Sequence, residues 1–132
     1  MTPDKAVDWT TTSIDLRGVL RVIENRDLPF APARIFFVTD VPKNTSRGAH
    51  AHIACHQILF VVTGSLNCKI IDRNGERISF LSPETGFIHL PPGTWAEQFD
   101  FQVGTVMGCL ASEPYDSADY IHQLDVFLDQ LG

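Results

Sequence analysis

Eight short apolar runs, rich in β-branched and aromatic residues, recur along the 132-residue chain, and the turn residues between them leave little room for helix. They are Val19–Ile23, Ala33–Val38, Gln57–Val62, Leu66–Ile71, Arg77–Leu81, Gly86–Leu90, Ala96–Phe101 and Val106–Ala111. Runs of this length match the common strand of a globular protein. The punctuation is chemically specific. Asn74-Gly75 sits between Ile70-Ile71 and Ile78 and tolerates the positive φ that a tight hairpin needs, while Gly64 and Pro91-Pro92-Gly93 mark further corners. Many short strands joined by tight turns predict an all-β sandwich or barrel. A chain of this size buries a core unaided, and no repeat or linker divides it, so residues 1–132 read as a single domain.

The C-terminus follows another period. Tyr120, Ile121, Leu124, Phe127, Leu128 and Leu131 recur at helical spacing, with Ser117 or Asp119 in position to cap. The expectation is a short C-terminal helix or an extended tail packed on the barrel.

Charge narrows the partners. The formal net charge is −6 and no basic run occurs, which argues against nucleic acid or an anionic membrane surface. A small phosphorylated ligand needs only one or two arginines and stays open. No apolar run approaches the roughly 20 residues of a membrane span. The first residues, Met1 to Asp15, are polar and acidic and do not read as a secretory signal. Cys55, Cys68 and Cys109 are an odd set without CxxC spacing, as expected of reduced thiols in a cytoplasmic protein.

The chemistry-bearing residues concentrate in Arg47-Gly48-Ala49-His50-Ala51-His52. Alternation along a strand puts His50 and His52 on one face. Four residues separate His52 from Gln57, and six more separate Gln57 from Gly64. A second segment reads Pro91-Pro92-Gly93-Thr94-Trp95-Ala96. The two segments resemble the two motifs of the cupins, which implies an antiparallel β-barrel of the jelly-roll, or double-stranded β-helix, kind. In metal cupins the position of Gln57 is a glutamate and that of Ala96 a histidine, so two of four expected ligands are missing. An amide and a methyl group cannot complete a divalent site that needs three or four N, O or S donors. The paired histidines then become candidate acid–base groups, with a rebuilt site of His50, His52 and His56 as the metal-dependent alternative. His89 lies just before the second motif.

The resemblance extends to a narrower family. Arg17-Gly18, Leu20, Ile23-Glu24, Pro29-Phe30, Arg34, the Arg47 to His52 segment, Gln57, Gly64-Ser65, Pro91-Pro92-Gly93, Trp95, Leu110-Ala111-Ser112, Tyr115-Asp116 and Asp119-Tyr120-Ile121 occur in the order found in WxcM-like (FdtA/QdtA-type) nucleotide-sugar 3,4-ketoisomerases. The similarity spans about residues 14 to 127. It implies an enzyme of deoxysugar biosynthesis, serving lipopolysaccharide or other glycans. Such an enzyme shifts a keto group between C4 and C3 of a dTDP-4-keto-6-deoxyhexose through an enediolate, with neither cofactor nor metal. It also implies a homodimer, often with exchanged N-terminal strands. By that similarity His52 is the leading proton shuttle, His50 its partner and Arg47 a donor to the enediolate. Arg17 and Arg34 are candidates for the diphosphate, although each also suits an ion pair. Trp95 is a wall of the pocket or a core residue, and Gln57 is a hydrogen-bonding group for the sugar or for a histidine. A non-catalytic nucleotide-sugar binding module is the competing reading.

The chain also departs from that pattern. Family members of known activity tend to carry a tyrosine in the strand before the Arg-Gly-x-His-x-His segment, where this chain has Phe36 and Phe37. Another tyrosine is frequent before the Pro-Pro-Gly turn, where this chain reads Gly86-Phe87-Ile88-His89. Position 53, often lysine, is Ile53, and Ala96 stands where some members have histidine. Each change removes a polar group from the expected pocket.

Overall fold

The structure, a computed structural model, describes residues 10–132. Two antiparallel sheets face each other. In chain order the strands are β1 (Thr10–Asp15), β2 (Gly18–Ile23), β3 (Arg34–Val38), β4 (Arg47–His52), β5 (Gln57–Thr63), β6 (Leu66–Asp72), β7 (Gly75–Leu81), β8 (Ile88–Leu90), β9 (Trp95–Phe99), β10 (Val106–Ala111) and β11 (Tyr120–Ile121), followed by helix α1 (Leu124–Leu131). One sheet has the order β3-β10-β5-β8 and the other β11-β4-β9-β6-β7, while among the described residues β1 and β2 pair only with each other. This is the expected jelly-roll barrel with a short C-terminal helix.

Alternation explains the core. Leu59 and Val61 of β5, Ile88 and Leu90 of β8, and Met107 and Cys109 of β10 face Leu66, Cys68 and Ile70 of β6, Leu81 of β7 and Ala96 of β9. Each large aliphatic side chain buried there contributes roughly 1.5–3 kcal/mol. A second cluster lies on the other face of the five-stranded sheet. There Ala51, Ile71 and Trp95 pack beneath Phe127 of α1, which is how the helix is held.

Several boundaries differ from the sequence reading. Strand β1, with the sequence Thr-Thr-Thr-Ser-Ile-Asp, carries no apolar pattern and exists because β2 pairs with it. The hairpin at Asn74-Gly75 is present but shifted by one residue: Asp72 pairs with Gly75, so Arg73 and Asn74 form the loop. The α1 helix starts at Leu124 after Gln123, without a side-chain cap. Neither Ser117 nor Asp119 caps it. They form a short 3₁₀ turn ahead of β11, and the Asp119 carboxylate is used elsewhere.

Candidate active site

Between the sheets lies a cavity of about 430 Å³. Its walls come from β3, β4, β5, β9 and β10, with Tyr115, Tyr120 and His122 closing one side. Of the residues singled out in the sequence, His50, His52, Arg47, Arg34 and Gln57 all line it.

A bulge in β4 makes this set. Arg47 pairs with Gln98 and His50 with Ala96, so β4 spends one more residue than β9 between those pairs. Gln98 and Ala96 are two apart on β9 and both line the cavity. Arg47 and His50, three apart, therefore share a face that plain alternation would deny them. The extra residue is housed by positive φ at Gly48 (83°) and Ala49 (57°). At Gly48 there is also no room for a side chain: a Cβ would lie 2.8 Å from Gln98 Oε1 and 3.0 Å from the Ala96 carbonyl oxygen.

His52 is the best-defined group. Its Nδ1 lies 2.8 Å from Asp119 Oδ2. The carboxylate is anchored in turn, since Oδ1 accepts from the Ala54 N–H at 2.6 Å and Oδ2 from the Cys55 N–H at 3.2 Å. The Ile53 N–H donates to the Asp119 carbonyl at 2.9 Å, tying the same turn to the same residue. A carboxylate beside Nδ1 places the ring proton there and leaves the Nε2 lone pair bare. Nε2 is buried and has no partner among the described residues. The imidazole, which lines the cavity, thus carries its free lone pair on Nε2 and can accept a proton there.

His50 has a different environment. Its ring meets that of His52 edge to face at 5.0 Å, with Tyr120 at 4.9 Å and His122 at 6.0 Å. Burial, then repulsion from His52, pushes the His50 imidazole down to about 4, so it is neutral at neutral pH. Burial also lowers His52, while the Asp119 hydrogen bond and charge work in the opposite direction. For Asp119 burial raises the carboxyl, but the Ala54 N–H, His52 and the Cys55 N–H together hold it below the ordinary range. Burial thus lowers both imidazoles, and only His52 has a carboxylate working against that shift.

Arg34 carries the cavity's inner positive charge. Its guanidinium lies 5.3 Å from the Phe36 ring centre and 5.7 Å from that of Tyr115, and its Nε is buried without a partner. Such a fork suits a phosphate or carboxylate. Gln57 is buried with its side chain on the cavity wall.

Two candidates fall outside the cavity. Trp95 belongs to the opposite face of β9, where its ring packs 5.7 Å from Phe127; its neighbour Ala96 takes the cavity position. It is a core residue and not a pocket wall, because odd and even positions of one strand face opposite ways. Arg17 sits at the tip of the β1–β2 hairpin, almost fully exposed, and pairs with Asp15 at 2.6 Å. His56 does not join His50 and His52. The chain leaves β4 after His52, alternation ends there, and His56 Nδ1 instead lies 3.0 Å from His89 Nε2 beside Phe30.

The sequence reading passed over Asp119, Tyr115, Tyr120, His122 and Gln98 as site residues. Strand β11 pairs Tyr120 with His52, which lays the phenol 4.4 Å from the imidazole, centre to centre. The hydroxyl-bearing residues of the cavity lining are Tyr115, Tyr120 and Thr94, while strand β3 contributes Phe36. The signal for Asp119 was its place in the Asp119-Tyr120-Ile121 segment, but nothing in the spacing ties it to a histidine 67 residues earlier.

Known proteins match this chain in sequence and fold. The family profile described as "FdtA: WxcM-like, C-terminal" matches residues 5–132. The TDP-4-oxo-6-deoxy-alpha-D-glucose-3,4-oxoisomerase of Aneurinibacillus thermoaerophilus is 39% identical over 118 residues, covering 86% of this chain and 83% of the relative. The 3,4-ketoisomerase QdtA of Thermoanaerobacterium thermosaccharolyticum, solved as a His-to-Asn variant with TDP-4-keto-6-deoxyglucose, superposes with a TM-score of 0.91 at 33% identity, covering 99% of this chain and 96% of that one. The TDP-quinovose 3,4-ketoisomerase WlaRB of Campylobacter jejuni gives a TM-score of 0.84 at 31% identity, covering 92% and 94%. With its histidine-lined cavity on that barrel and a match over nearly its whole length, the chain belongs to the FdtA, WxcM-like C-terminal family.

Proposed function

We propose that the protein is a sugar-nucleotide 3,4-ketoisomerase acting on a TDP-linked 4-keto-6-deoxyhexose. The carrying observation is the buried, unpartnered Nε2 of His52, on a ring that Asp119 orients and that lines the cavity beside a neutral His50. Relatives at 33–39% identity that bind or convert this substrate class support the reading.

The chemistry moves two protons, one from C3 to C4 and one from O3 to O4, and needs a stabilised oxyanion. Nε2 of His52 takes the proton from C3, the bonding pair forms a C3–C4 double bond, and the C4 carbonyl oxygen becomes the enediolate oxygen. The O3 proton passes to O4, a proton returns to C4, and the carbonyl is left at C3. Carbon oxidation levels change only within the substrate, so no electrons leave the ring. Imidazole is suited to both directions of transfer because its affinity for protons lies near neutrality. Asp119 stabilises the imidazolium formed on His52. The neutral His50 ring, Arg47 and the hydroxyl of Tyr120 donate to the enediolate oxygens, a reading supported by the place of all three residues in the cavity lining. Arg34 takes the diphosphate, and Gln57 holds a sugar hydroxyl.

Arg17 serves a site only if a second copy brings it there. The hairpin that carries it exposes Ile14, Leu16, Val19 and Leu20, and the outer face of the four-stranded sheet exposes Ile35, Phe37 and Val62. These surfaces support a homodimer with exchanged hairpins, which sedimentation would register as twice the 14.7 kDa chain mass.

The test is incubation with TDP-4-keto-6-deoxyglucose in deuterated water. Formation of the 3-keto isomer with solvent deuterium in the ring, abolished in His52→Asn, is the expected result. Tight binding of the nucleotide sugar without exchange over hours would overturn the catalytic reading in favour of a binding module.

A further inference from the structure

Behind the His52 imidazole, on the side away from its free nitrogen, three ligand-capable side chains converge. His52 Nδ1, Cys55 Sγ and an Asp119 oxygen all lie within 4.8 Å of one another, with His52 and Cys55 buried and Asp119 partly so. Two of them are already in contact, at 2.8 Å. Donor atoms around a tetrahedral Zn²⁺ stand about 3.3–3.7 Å apart, so movement of about 1 Å closes the set around an ion. Ser112 Oγ lies 3.9 Å from Cys55 Sγ.

We propose that His52, Cys55 and Asp119 form an inhibitory site for Zn²⁺ or a similar thiophilic divalent ion. The inference rests on the ketoisomerase reading for its consequence and on the three side chains for its chemistry. One thiolate and one carboxylate neutralise the ion's two charges, which a buried site requires. Sulfur and imidazole donors select zinc-like ions over Mg²⁺ or Ca²⁺. The ligand set also differs from that of the metal cupins, since it uses the Nδ1 side of His52 and leaves His50 out.

Inhibition follows from the tautomer. A metal on Nδ1 needs that nitrogen's lone pair, so the ring proton must reside on Nε2. The Nε2 lone pair that would accept the C3 proton is then gone, and Asp119 no longer orients the ring. The balance is simple: the Cys55 thiol gives up its proton and the Nδ1 proton is lost, while Nε2 gains one. One proton is released per ion bound. Access is through Asp119, which adjoins the exposed segment 113–118.

The protein is first stripped with a chelator and titrated with Co²⁺ as a spectroscopic stand-in for zinc. The expected result is a near-ultraviolet sulfur-to-cobalt charge-transfer band that is lost in Cys55→Ala. Cys55→Ser, nearly isosteric, guards against a folding defect and should also lose the band. On TDP-4-keto-6-deoxyglucose, zinc should inhibit reversibly by chelator. Cys55→Ala should need about tenfold more zinc while keeping its metal-free rate within about twofold. Equal inhibition of parent and Cys55→Ala, or a cobalt complex without a sulfur band, overturns the site and points to the His56–His89 pair or the cavity histidines. A protein that shows the band but turns over no keto sugar supports the metal site and overturns the ketoisomerase reading instead.

Discussion

The Nδ1 nitrogen of His52 lies 2.8 Å from the Oδ2 oxygen of Asp119, and that carboxylate is held in place by the N–H groups of Ala54 and Cys55. One acidic side chain thereby sets the tautomer of the base, its orientation and the shape of the turn that follows it.

Asp119→Asn keeps the size of the group but removes the charge that stabilises the imidazolium. The expected outcome is a fall in kcat of about 10²-fold with little change in KM, as for the loss of an orienting partner of a functional histidine. Asp119→Ala should in addition lose about 1–3 kcal/mol of stability through the buried Cys55 N–H left unpaired in the turn. Steady-state kinetics with thermal denaturation separate the two effects; a raised KM with an unchanged kcat would remove Asp119 from the proton path.

The acid limb of kcat/KM should lie below the ordinary histidine value, because burial lowers His50 from 6.5 to about 4 and lowers His52 in the same direction. Stability follows the same sign. Above pH 6.5 both folded and unfolded imidazoles are neutral and nothing is lost. As the pH falls from 6.5 toward about 4 the unfolded chain takes up protons that folded His50 refuses, so the native state weakens. Denaturation midpoints measured across that window should fall, and His50→Gln should flatten the slope. An unchanged slope in that variant would assign the effect elsewhere.

Arg34→Lys keeps the charge but discards the fork between Phe36 and Tyr115. The dissociation constant for TDP should rise about tenfold if the guanidinium grips the diphosphate with two donors. Titration calorimetry reads this directly. An unaltered affinity would move the diphosphate to another arginine.

Gly48→Ala tests the bulge. The new Cβ meets Gln98 Oε1 and the Ala96 carbonyl at a φ of 83°, so about 1–2 kcal/mol of stability should be lost. The rate should fall as well, since Arg47 is displaced with the bulge. Ala49→Gly, at a φ of 57°, should relieve strain and leave the rate close to the parent's. Equal behaviour of the two variants would mean that the bulge does not position Arg47.

Much of this was legible in the chain. The period of the apolar runs and the glycine and proline corners announced an antiparallel barrel, because alternation and turn chemistry are local properties. Alternation also placed His50 and His52 together, and the losses at Gln57 and Ala96 argued against the usual cupin ligand set. Where alternation stopped, so did its reach. His56 lies past the end of β4 and pairs with His89, and Trp95 turned outward to Phe127 because its parity is opposite to that of Ala96.

By itself the sequence determined the eight strands with an apolar period, the family and the histidine pair, since each is encoded within a few neighbouring residues. Only the tertiary structure decided what those histidines can do. A one-residue bulge turned Arg47 into the cavity, and strand β11 brought Asp119 to His52 and Tyr120 onto its ring. Those relationships join positions tens of residues apart, and the free energy that fixes them comes from burying the two sheets against each other, which no local pattern records.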